Sequence, residues 1–205
     1  MTGQRISLFP LAGALLLPGA HLPLHIFEPR YRALISDALA RDRLIGMVQP
    51  SDNEPRPSLY SVGCLGHIVE FEALVDGRFN IILKGLGRFR IVRELDVATS
   101  FRQVEAEVEP QPEGEPDPLA PVMRAALEQE ARRFAERLGY MVDWAAVARL
   151  DDMALVNSIA QVSPFDVASK QALLEAGSLV ERAEQVMQLM QFFGMADRDG
   201  PATLQ

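Results

Sequence analysis

The sequence predicts an α+β chain in which a β-rich first part is joined by an acidic tether to a helical bundle. Three observations predict it. Apolar and polar residues alternate with period two in segments between Val69 and Val108. The stretch Glu109-Pro-Gln-Pro-Glu-Gly-Glu-Pro-Asp-Pro118 holds four prolines and a glycine and has no packable face. Beyond it, apolar residues recur at helical spacing as far as Phe193. The expected boundaries are a β-rich part over 1–108, a linker over 109–118, a bundle over 119–194 and a frayed tail over 195–205. Charge divides the same way, with +2 over 1–104, -6 over 105–118 and -4 over 119–205.

The chain opens on an apolar run, Ile6 to Leu17, behind Arg5 and ahead of Gly19-Ala20, which has the outline of a signal peptide. Pro10 and Pro18 bracket the run and break that helix, and a second apolar stretch, Leu22 to Phe27, follows directly. A cytoplasmic protein is the expectation. Pro29 then suits the first position of a helix whose apolar stripe is Tyr31, Leu34, Ile35, Ala38 and Leu39. Val69, Phe71, Ala73 and Val75 alternate with Glu70, Glu72 and Leu74, and Asp76-Gly77 reads as a hairpin turn. Phe79, Ile81 and Leu83 continue the alternation. Gly85-Leu86-Gly87 reads as a further turn before Phe89, Ile91 and Arg93. Val104, Ala106 and Val108 face Glu105, Glu107 and Glu109 in the last strand.

The second part reads as helices. Met123, Leu127, Ala131, Phe134 and Leu138 form one stripe, closed by Gly139. Asp151 and Asp152 suit a helix N-terminus ahead of Leu155, Val156 and Ile159. Ser163-Pro164 reads as an N-cap and first position leading to Val167 and Leu174. The last helix carries Leu179, Ala183, Val186, Met190 and Phe193 and stops near Gly194.

Composition excludes several classes of function. The chain is 48% apolar and 23% charged, an ordinary globular balance. One cysteine, Cys64, forbids an internal disulfide framework, and its flanking glycine and leucine suggest a small buried thiol. A net charge of -8 disfavours nucleic acid. No apolar run is long enough to span a membrane. No P-loop string occurs, and Gly85-Leu86-Gly87 opens a strand and not a helix, so it offers phosphate no helix N-terminus. His21 and His25 lie in an extended segment, ~13 Å apart at ~3.3 Å per residue, too far to share one metal ion. Glu70 and Glu72 are expected to face Arg88 and Arg90 across the sheet and not to act as an acid–base pair. No nucleophile stands in a known signature. Neither an enzyme nor a cofactor or metal is expected.

The N-terminal residues are more specific. Leu8-Phe9-Pro10-Leu11, Leu17-Pro18-Gly19 and Leu22-Pro23-Leu24-His25-Ile26-Phe27-Glu28-Pro29-Arg30-Tyr31 resemble the N-terminal substrate-binding domain of Lon proteases. Val62-Gly63, Gly66-His67-Ile68-Val69, Asp76-Gly77-Arg78-Phe79 and Gly85-x-x-Arg88-Phe89-Arg90 follow in that domain's order. The helical half is similar through Ser163-Pro164 and Lys170-Gln-Ala-Leu-Leu174. The ATPase and serine–lysine peptidase modules of Lon have no counterpart in the sequence, so the chain looks like a stand-alone Lon N-domain. The resemblance implies a PUA-like β-barrel for the first part and a role in recognising unfolded or damaged polypeptides.

Three readings of function follow. The first is a non-catalytic module for unfolded or exposed hydrophobic segments. Its candidate residues are Glu28, Arg30 and Tyr31 in the quoted signature, and Met187, Met190 and Phe193 on the last helix, where Phe192 also widens the apolar face. The second is an adaptor that docks on a folded partner protein. The third is RNA binding through the PUA-like fold by Arg78, Lys84, Arg88, Arg90 and Arg93. Phe79 and Phe89 fall on the opposite parity from Lys84, Arg88 and Arg90, so charges and rings make no common platform.

Overall fold

The computed structural model of the chain describes residues 3–110 and 117–196. It divides into two compact units, Met1–Pro112 and Glu113–Gln205. Residues 111–116 of the expected tether and 197–205 of the expected tail lie outside the described residues.

The first unit is built on one six-stranded sheet. Its strands are β1 (Gln4–Pro10), β2 (His21–Ile26), β3 (Leu44–Val48), β4 (Val62–Ala73), β5 (Phe79–Glu94) and β6 (Gln103–Val108), and one helix, α1 (Pro29–Leu39), follows β2. The spatial order is β2-β5-β4-β3-β1-β6, and β5 pairs a second time with β6. β1 runs parallel to β3, and the other pairs are antiparallel. The α+β class is therefore as expected.

The barrel implied by the resemblance is met in broad outline. The β5–β6 pairing brings the sheet round on itself, but β2 stays outside that circuit, so the sheet is not a closed barrel. β2, the first half of β5 and the second half of β4 continue past the circuit as a three-stranded projection.

The circuit encloses an apolar core of Ile6, Leu8, Val48, Leu65, Phe89, Val104 and Ala106, with Phe89 fully buried. The alternation in β6 is thus a real inside and outside: Val104 and Ala106 are buried and Glu107 is exposed. Cys64 is buried as well.

Two expected turns come out differently. Around Asp76-Gly77 a hairpin does form: the Leu74 N–H donates to the Arg78 carbonyl and the Gly77 N–H to the Leu74 carbonyl, both at 2.9 Å. Gly77 alone takes positive φ, at 77°, so the turn is a three-residue one that needs one left-handed residue and not two. Gly85-Leu86-Gly87 makes no turn. It lies inside β5, a single strand of 16 residues. Gly85 is there because the segment before β2 crosses it closely: its N–H donates to the Ala20 carbonyl and its own carbonyl accepts from Gly19, both at 2.9 Å.

That continuous strand also displaces the expected ion pairs. Glu70 and Glu72 lie opposite Ile82 and Asn80, while Arg88 and Arg90 lie opposite Cys64 and Val62. The positions are half a strand apart.

The second unit contains α2 (Pro121–Leu138), α3 (Trp144–Val147), α4 (Asp152–Val162), α5 (Val167–Glu175) and α6 (Leu179–Ala196). α6 packs against α2, α4 and α5. Leu127, Phe134, Leu155, Val156, Leu173, Ala183, Val186 and Met190 are buried. Asp151 caps α4, accepting from the Ala154 N–H at 2.7 Å, as its position suggested. Asp152 holds the start of α4 to α2: it accepts from the Arg124 guanidinium at 2.5 Å and from the Leu119 N–H at 2.8 Å. Ser163 does not begin α5. It is the last residue of α4's cap, donating its N–H to the Ile159 carbonyl, and Asp166 caps α5 by accepting from the Ser169 N–H at 2.7 Å. Pro164 supplies the break between them, because it has no N–H to continue α4. α6 runs through Gly194 to Ala196. Among the described residues no helix is long and apolar enough to cross a membrane.

Candidate functional site

The first unit offers two concave surfaces. One is a hollow of about 570 Å³ between the start of α1 and the loops 50–57 and 94–102. Pro29 starts α1, so Arg30 and Tyr31 stand in its first turn and both line this hollow. Tyr31 is the fixed member. Its ring lies 4.2 Å from that of Phe9, its hydroxyl donates to the Pro10 carbonyl at 3.0 Å, and burial pushes its phenol pKa above the ordinary value. Arg30 is the outward member. Its guanidinium lies 4.4 Å over the Tyr31 ring and donates to Glu28 at 2.9 Å, with about half of the side chain still exposed, at 51%.

Both arginines of the far wall are held by one carboxylate. Arg102 donates to Glu94 at 2.6 Å and to the Pro57 carbonyl at 2.7 Å, and Arg56 donates to the same carboxylate at 2.9 Å. The hydrogen bond from Arg102, with further help from Arg56, holds the Glu94 carboxyl below its usual range. Amide donation from Glu54 and bonds to Ser58 do the same for Asp52. Asp52, Glu54 and Asp96 stand outside that pairing, so the far wall is net acidic, and the Arg30 guanidinium stands at the mouth.

The other surface is a saddle of about 510 Å³ on the projecting strands β2, β5 and β4. Pro23 and Ile82 lie among its apolar lining residues, and Glu70, Glu72 and His25 among its polar ones. A polar chain crosses it: Asn80 donates to Glu72 at 2.8 Å and meets His25 at 2.7 Å, and His25 meets Arg78 at 3.2 Å. The end of the projection is apolar and wet. Phe27 is 62% exposed, Phe71 48%, and Val75 wholly so.

The signature residues Glu28, Arg30 and Tyr31 are thus brought together. The three candidates on α6 belong to the second unit, and one of them is a core residue. Met190 is fully buried because α2, α4 and α5 pack around α6, so it is no surface contact. Met187 and Phe193 are half-buried, and Phe193 packs 5.4 Å from Phe165. Phe192, at 67%, is the exposed ring of this helix.

The cations offered for RNA are largely engaged. Arg78 pairs with Asp76 at 2.6 Å, Arg88 with Glu109 at 2.7 Å and Arg93 with Glu105 at 2.7 Å. Phe89 is in the core. Among the described residues no group of three or more histidine, cysteine or acidic side chains is placed to hold a metal.

A family model, the ATP-dependent protease La (LON) substrate-binding domain, matches residues 5–191. The chain belongs to the Lon substrate-binding domain family. The Lon protease 2 of Sorangium cellulosum is 30% identical over 202 residues, covering 90% of this chain and 24% of the relative. The Lon protease 2 of Thermus thermophilus is 26% identical over 202 residues, covering 93% and 24%. The chain thus spans about a quarter of the length of the curated relatives it matches. Among solved structures, a Lon N-terminal domain protein from Xanthomonas campestris superposes with a TM-score of 0.65 at 23% identity, covering 90% of this chain and 98% of that one. The N-terminal domain of the Mycobacterium avium complex Lon protease gives 0.62 at 21%, covering 92% and 98%. These likenesses show that the Lon N-domain fold extends over both the β-rich and the helical part. Membership supports a substrate-binding role, and the matched region is the Lon substrate-binding domain and not the protease or ATPase part.

The residues that sequence reasoning missed are Phe27 and Phe71. Phe71 sits between two glutamates in perfect alternation, which reads as a half-buried strand. The alternation cannot say whether anything covers the apolar face.

Proposed function

We propose that this Lon-family domain is a non-catalytic polypeptide-binding module that takes unfolded or exposed hydrophobic segments on its β-rich unit. The observation that carries the reading is the set of apolar side chains that the β2–β5–β4 projection leaves in solvent: Phe71 on the face of Ile81, Phe27 on the face of His25, and Val75 in the connecting turn. Exposed rings on either face of a thin sheet are what an extended partner's apolar side chains bury against. Arg30 adds a guanidinium with donors to spare near the hollow, suited to the carbonyls of an extended chain. Catalysis is no part of this reading, and neither is ATP hydrolysis. We place the work in the cytoplasm, where a lone thiol such as Cys64 stays reduced.

The test is binding of the purified chain, without nucleotide, to a reduced and denatured model protein and to the same protein folded. Preference for the denatured form, weakened by Phe27→Ser with Phe71→Ser and by Arg30→Glu, supports the proposal. Equal binding of both forms, or binding that ignores these substitutions, overturns it. Binding to one folded protein alone turns the reading to an adaptor.

A further inference from the structure

The projection has two open edges, and they differ. β2 carries Pro23 at its middle, opposite Ile82, and a proline gives no N–H to a ladder. The outer side of β4 carries no such block. β3 covers β4 over Cys64–His67, and the Ile68 N–H is taken by the Arg43 carbonyl at 2.9 Å. Val69 is the extra residue of a bulge, and from 70 to 73 β4 pairs with β5 on one side and with no strand on the other among the described residues. Alternate peptide groups of this stretch therefore face outward.

The side chains of 69–73 set what could pair there. Glu70 and Glu72 point to one face and Phe71 to the other, and all three are exposed. Glu72 accepts one bond, from Asn80, through a single carboxylate oxygen. The neighbouring cation, Arg43, lies 5.6 Å from the Phe71 ring, on the face away from the glutamates. Pairing this edge with the same edge of a second copy, antiparallel about Phe71, sets Glu70 against Glu72 twice, and like charges directly opposite are unfavourable.

We infer that 69–73 of β4 accepts an extended polypeptide segment as an added strand, and that the segments it favours alternate lysine or arginine with apolar residues. The basic residues lie against Glu70 and Glu72, and the apolar ones against Phe71. The ladder supplies sequence-independent affinity and the alternating faces supply selection. The inference rests on the polypeptide-binding reading and specifies which chains that reading prefers.

Three labelled peptides test it on the full chain: one alternating lysine with valine or phenylalanine, one of the same composition with lysines in a block, and one alternating glutamate with the same apolar residues. The alternating basic peptide should bind about three- to tenfold more tightly than the block peptide. It should slow amide exchange at 69–73, and methylation of its alternate backbone nitrogens should abolish binding. Glu70→Lys with Glu72→Lys should transfer the preference to the acidic peptide. If denatured protein binds but the two basic peptides bind alike, or the methylated one binds undiminished, strand addition is wrong and the broader reading stands. If neither denatured protein nor peptide binds, both fall. Exchange protection at 69–73 that rises with protein concentration alone assigns the edge to a second copy and overturns the inference.

Discussion

Gly85 and Leu17 cross so closely that a Cβ at position 85 would overlap the Leu17 carbonyl oxygen. The obstacle is backbone, held by the hydrogen bonds that tie Gly85 to Gly19 and Ala20 on the same crossing segment. Gly85→Ala should therefore destabilise the first unit by about 1–3 kcal/mol, the usual cost of forcing atoms into a packed site. Denaturant unfolding would read it, and a change below about 0.5 kcal/mol would mean the segment yields.

Met190 and Phe192 are two residues apart on α6 with opposite surroundings. Met190→Ala should cost about 2–5 kcal/mol by leaving a cavity. Phe192→Ser should stay within about 0.5 kcal/mol of the parent. Equal losses in thermal unfolding would contradict the packing of α6 against α2, α4 and α5.

The Asp152 carboxylate has its pKa lowered, first by the hydrogen bond from Arg124 and then by the Leu119 amide. A carboxylate whose folded pKa lies below its unfolded value stabilises the fold above that unfolded value, and the contribution is lost as pH falls through the folded one. Stability of the parent should thus fall on acidification below about pH 4, starting near the unfolded carboxyl value. Asp152→Asn should lose about 1–2 kcal/mol at neutral pH and show a shallower acid slope. Parallel pH profiles for parent and variant would rule the bond out as a contributor.

Tyr31→Phe removes the hydroxyl that donates to Pro10 and should cost about 1 kcal/mol. The raised phenol pKa gives a second readout. Unfolded tyrosine ionises first as pH rises, so the parent should lose stability above about pH 10, and the variant should lose less. An unchanged alkaline profile would show that the ring is not buried.

What could be read from the sequence was whatever local chemistry decides. Pro29 starts α1, Asp151 caps α4 and Gly77 turns a hairpin because each acts on backbone groups within a few residues. Gly85 was misread because a glycine needed for a turn and one needed for a close crossing look alike, and Leu17 lies far away in sequence. The Glu70 and Arg88 pairing failed for the same reason, since removing a turn moves every partner in the register. Glu28, Arg30 and Tyr31 of the signature touch one another at the start of α1 because they are near neighbours in the chain. Phe27 and Phe71 stayed hidden, because burial is decided by which element arrives to cover a face, and the cover that buries Ile26, Ile81 and Leu83 does not extend to them.

β5 serves two parts of the first unit at once. Its first half runs between β2 and β4 out in the projection, and its second half runs between β4 and β6, with Phe89 in the core. A pull on the tip along the strand direction is therefore passed straight down β5. The ladder bonds that resist it stretch side by side, as in a lap joint, and do not peel one after another. The projection is fastened by the same strand that carries Phe89 into the core.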